Sequence, residues 1–298
     1  MSWTKPQVLK SSVVVAATAI ISSLGLLAVS SAQVGAAANP FPHTTRGGFA
    51  TPTGNGFWLA FADGSVDNFG DARFFGDAHS LPLKGSIQGG SSVSTGGGYW
   101  LVGSDGGIFS YGSARFFGSM GGTRLNQPVF SVASTKTGHG YWLVARDGGV
   151  FSFGDATFAG SMGGIPLQQP ITGIVRHPSG KGYSMVARDG GIFDFGDQGF
   201  FGSLPGIGLS VSDVVGMAPT PSGLGYWIVR SGGQVYSFGN ALTFRSYTAS
   251  GCDPVVAIVA NPKAQGYRLI TNSGATFAFG FGVDGRVPTG RPIACTAG

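Results

Sequence analysis

The stretch GYWLVARDGGVFSFGDATF, residues 140–158, contains two apolar runs, and each run is followed by a tight-turn signal. Similar stretches recur along the chain, with aligned aromatic residues at steps of 42, 42, 42, 43 and 41 residues. Those aromatic residues are Phe57, Tyr99, Tyr141, Tyr183, Tyr226 and Tyr267. A near-constant period of this size, with several strands in each copy, is typical of β-propeller blades.

The third copy predicts four strands. They are an innermost strand over 128–134, a second over 141–145, a third over 150–153 and a short outer strand beginning at 157–159. The second run is apolar without alternation, which is typical of a strand buried on both faces. Asp147-Gly148 between the second and third strands predicts a type I′ turn. The sequence therefore predicts an all-β fold, a six-bladed β-propeller of four-stranded antiparallel blades.

The first 38 residues have the three-part pattern of a secretory signal peptide. A polar start with Lys5 and Lys10 precedes an apolar run over 12–29 and a small-residue tract ending at Ala38. We expect a signal helix over 1–38, cleaved after Ala38, and a propeller domain over 39–298. Two alternatives stay open. The first is cleavage after Ala32 or Ala36. The second is retention as an uncleaved membrane anchor, because the apolar run is slightly long for a signal peptide. The prediction is a secreted or cell-surface protein that contacts a membrane only through this segment, and only if the segment is not cleaved.

Composition agrees with an exported all-β domain. The 23 phenylalanines, 8 tyrosines and 5 tryptophans supply a core, and every acidic residue is aspartate. Glutamate favours helices, so its absence fits a chain of strands. The formal net charge of +5 is spread along the chain without a run of Lys or Arg. We therefore expect no nucleic-acid partner, and we expect a monomer.

The two cysteines, Cys252 and Cys295, occupy nearly the same position of consecutive repeats. In an exported protein such a pair predicts a disulfide, which would contribute about 3–4 kcal/mol by the loop-entropy model. A metal site is the weaker alternative, because no histidine lies near either cysteine. The histidines show no zinc-ligand spacing; they are His43, His79, His139 and His177. We expect neither a metal nor another cofactor.

Aspartates recur at two positions of the repeat. One set is Asp63, Asp105, Asp147 and Asp189, and the other is Asp71, Asp155 and Asp197. A calcium ladder or an acid–base pair is one interpretation, but turn formation explains every copy and is favoured. Asp67 and Asp194 instead replace other residues on predicted buried strands. Because burying an unpaired carboxylate is costly, we expect each of these two to be either paired with neighbouring groups or functional.

Arginines near the second-to-third-strand turns are candidate binding residues. Arg146 and Arg188 align in the repeat, and Arg230 lies one place away. The loops between blades are predicted to emerge on the same face, with Arg124, Gln127 and Gln169 among their residues. Such a basic, amide-rich face would suit an anionic glycan or a protein partner, although ordinary solvated surface explains it equally well.

The motif GYWLVxxDGG(I/V)FSFGDA resembles the tandem propeller-type repeats of secreted actinobacterial proteins. Residues 98–117, 140–158 and 182–201 carry the closest match, and the resemblance extends over about residues 46–290. It implies a secreted all-β repeat domain, and it supplies no catalytic residues.

Three functions remain open at this point. The first is a secreted, non-enzymatic binding module for a cell-envelope glycan or an extracellular protein. The second is a propeller hydrolase or lyase acting on cell-wall polysaccharide, with acids in a central channel. The third is a structural or adhesive surface protein, which should expose apolar patches. The predicted inner strands are small and apolar apart from Arg176 and His177, which weighs against the enzyme.

Overall fold

Six three-stranded antiparallel sheets make up the described part of the protein. The computed structural model describes residues 40–280 except Gln198 and Ser246. The strands are β1 (Thr45–Ala50), β2 (Phe57–Phe61), β3 (Val66–Phe69), β4 (Ile87–Ser92), β5 (Gly98–Gly103), β6 (Ile108–Gly112), β7 (Val129–Ser134), β8 (Gly140–Ala145), β9 (Val150–Gly154), β10 (Ile171–Arg176), β11 (Tyr183–Ala187), β12 (Ile192–Phe195), β13 (Val214–Pro219), β14 (Gly225–Arg230), β15 (Val235–Gly239), β16 (Val255–Ala260), β17 (Gly266–Thr271) and β18 (Thr276–Gly280). A short 3-10 helix covers Pro205–Ile207.

Each sheet is one blade, and its three strands follow one another in space as they do in sequence. The middle strand pairs with an inner and an outer neighbour, and it is buried on both faces, as its unbroken apolar run predicts. The largest fully buried side chains include one tryptophan from each of four middle strands: Trp58, Trp100, Trp142 and Trp227.

The blades close into a ring. Successive inner strands contact one another from β1 to β16, and β16 in turn contacts β1. At this junction Leu59 of the first blade packs in one buried cluster with Val259 and Ile270 of the sixth. The Thr45 amide also donates to the Asn272 carbonyl at 3.3 Å. The predictions of an all-β fold and of six propeller-like blades are confirmed.

Two predicted segments fall outside the described residues. The first is the signal helix over 1–38. The second is residues 291–296 (RPIACT), whose match to the start of an innermost strand predicts an additional closing strand. Among the residues that are described, no helix is long and apolar enough to cross a bilayer.

The prediction of four strands in each blade is wrong, because the fourth segment forms no ladder with the third strand. In the third blade, side chains hold this outer segment instead. The Trp142 indole Nε1 donates to the Thr157 carbonyl at 2.9 Å. Tyr183 of the next blade accepts from the Ala159 amide at 3.3 Å and donates its hydroxyl to the Gly160 carbonyl.

These two bonds recur around the ring. The indoles of three further blades donate at 2.8 Å to carbonyls of their own outer segments, at Arg73, Arg115 and Leu242. The hydroxyls of Tyr99, Tyr141 and Tyr226 donate to the preceding blade, at Gly76, Gly118 and Gly202. Adjacent residues of a strand point to opposite faces, so each Tyr-Trp pair serves two blades at once. Burial raises the pKa of Tyr226 to about 12, which keeps its hydroxyl protonated as a donor.

The hairpin between β8 and β9 is not of type I′. That turn needs positive φ at both central residues. Here Gly148 has a φ of 79°, whereas Asp147 does not have a positive φ. The Asp147 carboxylate instead accepts from the Gly149 amide at 3.0 Å, and the Gly148 amide donates to the Ala145 carbonyl at 2.9 Å. Aspartate is favoured here as a local acceptor rather than for left-handed backbone.

The Tyr141 hydroxyl allows a test of the link between blades. It accepts from the Phe117 amide at 3.1 Å and donates to the Gly118 carbonyl at 2.6 Å. We expect Tyr141→Phe to lower the free energy of unfolding by about 1–3 kcal/mol, because both backbone groups lose their partner. Urea denaturation measures the change. The matched control is Tyr111→Phe, since the Tyr111 hydroxyl bonds to no other described residue; equal losses in both variants would contradict the assignment.

Candidate binding site in the central channel

The inner strands line a channel along the axis of the ring, and their first residues form what we call the narrow mouth. Each inner strand has a register shift after its first residue, so that one residue is left out of the pairing. Such a bulge changes the direction of the side chain it carries. The six bulge residues line a cavity of about 170 Å³; they are Arg46, Gln88, Phe130, Thr172, Val215 and Val256.

The other end of the channel, which we call the wide mouth, opens into a cavity of about 600 Å³. It is formed by the last residues of the inner strands and by the loops that follow them. The final strand residues are Ala50, Ser92, Ser134, Arg176, Pro219 and Ala260. Five of them are short, so the cavity remains open, and Arg176 alone extends a long side chain into this layer. The volume lies within the range usual for ligand sites, about 300–1,000 Å³.

All charged residues that line the wide mouth are cations. They are Lys136, Arg176 and Lys263, and no aspartate is among the described residues around this cavity. Burial lowers the pKa of Arg176, but a guanidinium remains protonated in proteins. The rim also contains loop prolines, which restrict the backbone: Pro52, Pro178, Pro221 and Pro262. The wide mouth can therefore offer positive charge to an anion.

Serine hydroxyls fix one wall of the wide mouth. Ser91 donates to the Ser134 hydroxyl at 3.0 Å, and Ser134 donates to the Ser92 carbonyl at 3.0 Å. Ser92 in turn donates to the Ala50 carbonyl at 2.9 Å. These bonds join the inner strands of the first three blades. A ligand would thus meet a wall whose shape is set before it binds.

Two of the predicted site residues, Arg146 and Arg188, lie at the narrow-mouth end of the ring. The amides of Arg146 and Arg188 donate to the Pro128 and Pro170 carbonyls at 3.0 and 2.9 Å. The Arg146 guanidinium lies 4.2 Å from the centroid of the Phe130 ring. The Arg188 Nε donates to the Ser212 carbonyl at 2.7 Å. Gln127 and Gln169 directly precede the two prolines, so both amides lie at the same end of the ring.

The remaining predicted residues are arranged differently. Arg230 forms an ion pair with Asp213, with 2.7 Å between Nε and Oδ1, so a neighbouring carboxylate neutralises its charge. Arg124 is exposed on the loop between the second and third blades. Sequence reasoning missed Arg46 and Phe130 at the narrow mouth, and Lys136 and Lys263 at the wide mouth.

The recurring aspartates hold loops, in agreement with the turn interpretation. The carboxylates of Asp71 and Asp155 accept from Thr51 and Thr135 at 2.9 and 2.8 Å. In the other set, each carboxylate accepts from the backbone amide two residues later. The pairs are Asp63 with Ser65, Asp105 with Gly107, Asp147 with Gly149 and Asp189 with Gly191. Within the described ranges, no group of three or more His, Cys, Asp or Glu residues is arranged to hold a metal ion.

The two exceptional aspartates differ from each other. Asp67 is exposed, so the prediction of a buried carboxylate is wrong at that position. Asp194 is half-buried; its Oδ1 accepts from the Ser184 hydroxyl, and its Oδ2 is buried without a hydrogen-bond partner. Burial raises the pKa of Asp194.

Ser184 stands where four other blades have tryptophan, and it contacts a histidine. His177 Nε2 lies 3.1 Å from Ser184 Oγ, and Nδ1 lies 3.3 Å from Asp197 Oδ1. The order of hydroxyl, imidazole and carboxylate is that of an activated nucleophile. However, Ser184 and His177 are only 0% and 1% exposed, so a substrate has no access to them. The network occupies the space of the missing indole.

Comparison with known proteins identifies the fold alone. No protein-family model matches the chain, and no curated protein matches it. A solved structure described as a structural genomics protein of unknown function from Bacteroides thetaiotaomicron VPI-5482 is similar, with a TM-score of 0.53 and 15% identity. The match covers 77% of this chain and 67% of that one. In all, 1102 solved chains match, so the fold does not select a function.

Asp194 yields a prediction about pH. Its raised pKa means that folding favours the protonated form, so its contribution to stability is lost as the pH rises through that pKa. We expect Asp194→Asn to unfold at a higher temperature than the natural protein at pH 7, and this gain to shrink as the pH falls. Calorimetry over the pH range measures both. Asp67→Asn, an exposed control on another outer strand, should show no such gain; a similar rise there would refute the assignment.

Proposed function

We propose that the protein is a secreted, non-enzymatic binding module that recognises an anionic glycan of the cell envelope in the wide mouth. The observation that carries this proposal is the cationic lining of an open cavity by Lys136, Arg176 and Lys263. A concave cavity of about 600 Å³ suits sugar residues better than the flat surface of a folded protein. Carboxylate or phosphate groups on such a glycan would supply the opposite charge.

Export is part of the same proposal. It is supported by the signal-peptide pattern over 1–38 and by the positions of Cys252 and Cys295 in consecutive repeats. Cys295 lies outside the described residues, so the disulfide between the two cysteines stays a prediction.

Two observations support binding over hydrolysis. The carboxylates of Asp71 and Asp155 are occupied by threonine hydroxyls of the adjoining loops. The serine–histidine contact between Ser184 and His177 is closed to solvent. General acid–base catalysis needs a group within hydrogen-bond reach of the substrate, and neither arrangement offers one.

Retention on purified cell wall tests the proposal, with soluble acidic and neutral glycans as competitors. We expect Arg176→Ala to weaken binding at least ten-fold, because hydrogen bonds to a charged group contribute about 1.5–3 kcal/mol. Acidic glycans should compete, neutral ones should not, and salt should weaken retention. The control variant is Lys181→Ala, an exposed lysine on a loop at the same end of the ring. Unchanged retention of Arg176→Ala, or equal competition by neutral glycans, would rule out this site.

One further observation favours the adhesive alternative. Four phenylalanines at the same repeat position of consecutive blades are 53%, 59%, 57% and 61% exposed; they are Phe74, Phe116, Phe158 and Phe200. Exposed apolar side chains in a regular series can contact a surface or a second molecule.

If this series mediates adhesion, replacing Phe116 and Phe158 by serine should reduce self-association in sedimentation experiments. Retention on cell wall should be unchanged, because neither residue lines the wide mouth. A protein that sediments as a monomer before and after the double substitution, with equal adsorption to apolar surfaces, would exclude adhesion.

A further inference from the structure

Arginines from three blades lie at the narrow-mouth end of the ring without a carboxylate partner, and of these Arg46 lines the cavity itself. Arg46 is the bulge residue of β1, and Arg146 and Arg188 follow β8 and β11. In the part of the chain that the structure describes, none of the three forms an ion pair, in contrast to Arg230 with Asp213. The axis of the ring therefore has a second concentration of positive charge at the end opposite the wide mouth.

Arg146 lies at the centre of this group. Its guanidinium is 4.2 Å from the centroid of the Phe130 ring. This cation–π contact restrains the orientation of the guanidinium plane. Burial lowers the pKa of Arg146, and the charges of Arg188 and Arg46 lower it further. Like charges at close range destabilise one another unless an anion is present between them. The cluster is thus costly when empty and suited to a ligand of opposite charge.

We propose that the narrow mouth is a separate site for a phosphate group, held by Arg46, Arg146 and Arg188. A guanidinium fork matches the oxygens of phosphate in paired hydrogen bonds. Three cations also favour a doubly charged phosphate over a singly charged carboxylate. Arg46 lines the cavity at the narrow mouth together with Gln88 and Thr172, whose donors are bonded to Ser86 and Val186. The positive charge of the arginines is therefore what the narrow mouth offers to an anion.

The size of the cavity limits what enters. Its volume of about 170 Å³ is below the usual range for ligand sites, about 300–1,000 Å³. The phosphate group therefore binds at the entrance of this cavity, where Arg46 and Phe130 form the wall and the Arg146 guanidinium lies over the Phe130 ring. Whatever carries the phosphate remains outside the ring. Val132, Ile174 and Val175 line both cavities, so an apolar constriction separates the two mouths. The phosphate site does not depend on glycan binding at the wide mouth.

Calorimetric titration with inorganic phosphate, glucose 6-phosphate and glucuronate tests this proposal. We expect one saturable site for both phosphate ligands and at least ten-fold weaker binding of glucuronate. Arg146→Lys and Arg46→Ala should each weaken phosphate binding at least ten-fold, the first because lysine lacks the planar fork. Thermal unfolding checks that both variants are folded. The control is Arg115→Ala, an exposed arginine on the outer segment of the second blade.

The outcomes separate this site from the wide mouth. Phosphate binding that survives Arg176→Ala and Arg115→Ala but not Arg146→Lys supports the proposal. Tighter binding of glucose 6-phosphate would identify a sugar-borne phosphate as the ligand, and tighter binding of inorganic phosphate would identify the free ion. Absence of saturable binding, glucuronate binding as tight as phosphate, or equal losses in the Arg115 control would overturn it.

Discussion

The adjacent tyrosine and tryptophan in the middle strands of the second, third and fifth blades are the constraint on which the ring depends. One side chain is bonded to the outer segment of its own blade and the other to that of the preceding blade, as with Trp142 and Tyr141. Burying these polar atoms without partners would cost about 1–3 kcal/mol each. A single blade cannot supply both partners, so the unit of stability is the set of blades rather than any one of them.

The other three blades replace one member of this pair, and the first of them has Phe57 in the tyrosine position. In the fourth blade Ser184, His177 and Asp194 fill the volume of the indole with a polar network. In the sixth blade Arg268 takes the tryptophan position, and its guanidinium lies 4.7 Å from the centroid of the Phe57 ring in the first blade. The junction between the last and first blades is therefore closed by a cation–π contact and apolar packing.

The sequence pattern predicted the fold well because the repeat period and the two-sided burial of the middle strand are local properties. It failed at the fourth strand, since residues 157–159 would look the same whether paired with a strand or bonded by an indole and a phenol. It failed at the Asp147 turn because Asp-Gly is common to several turn types, and the choice depends on where the carboxylate finds a donor.

The candidate sites were harder to predict, because they arise only when the ring closes. Arg176 was visible in sequence as a charged residue on an inner strand of small residues. Lys136 and Lys263 had no such signal, since each belongs to a loop that resembles ordinary surface. The bulge that directs Arg46 toward the axis leaves no mark in TRGGFA, because a register shift is a property of two strands rather than one.

The bulges also separate the requirements of folding from those of recognition. The six residues at these positions are as different as arginine, glutamine, phenylalanine, threonine and valine, although the strands around them are alike. The backbone of the ring therefore tolerates many side chains there. Descendants of the same repeat can diverge in ligand preference by exchanging a few axial residues, while the shared scaffold is inherited unchanged.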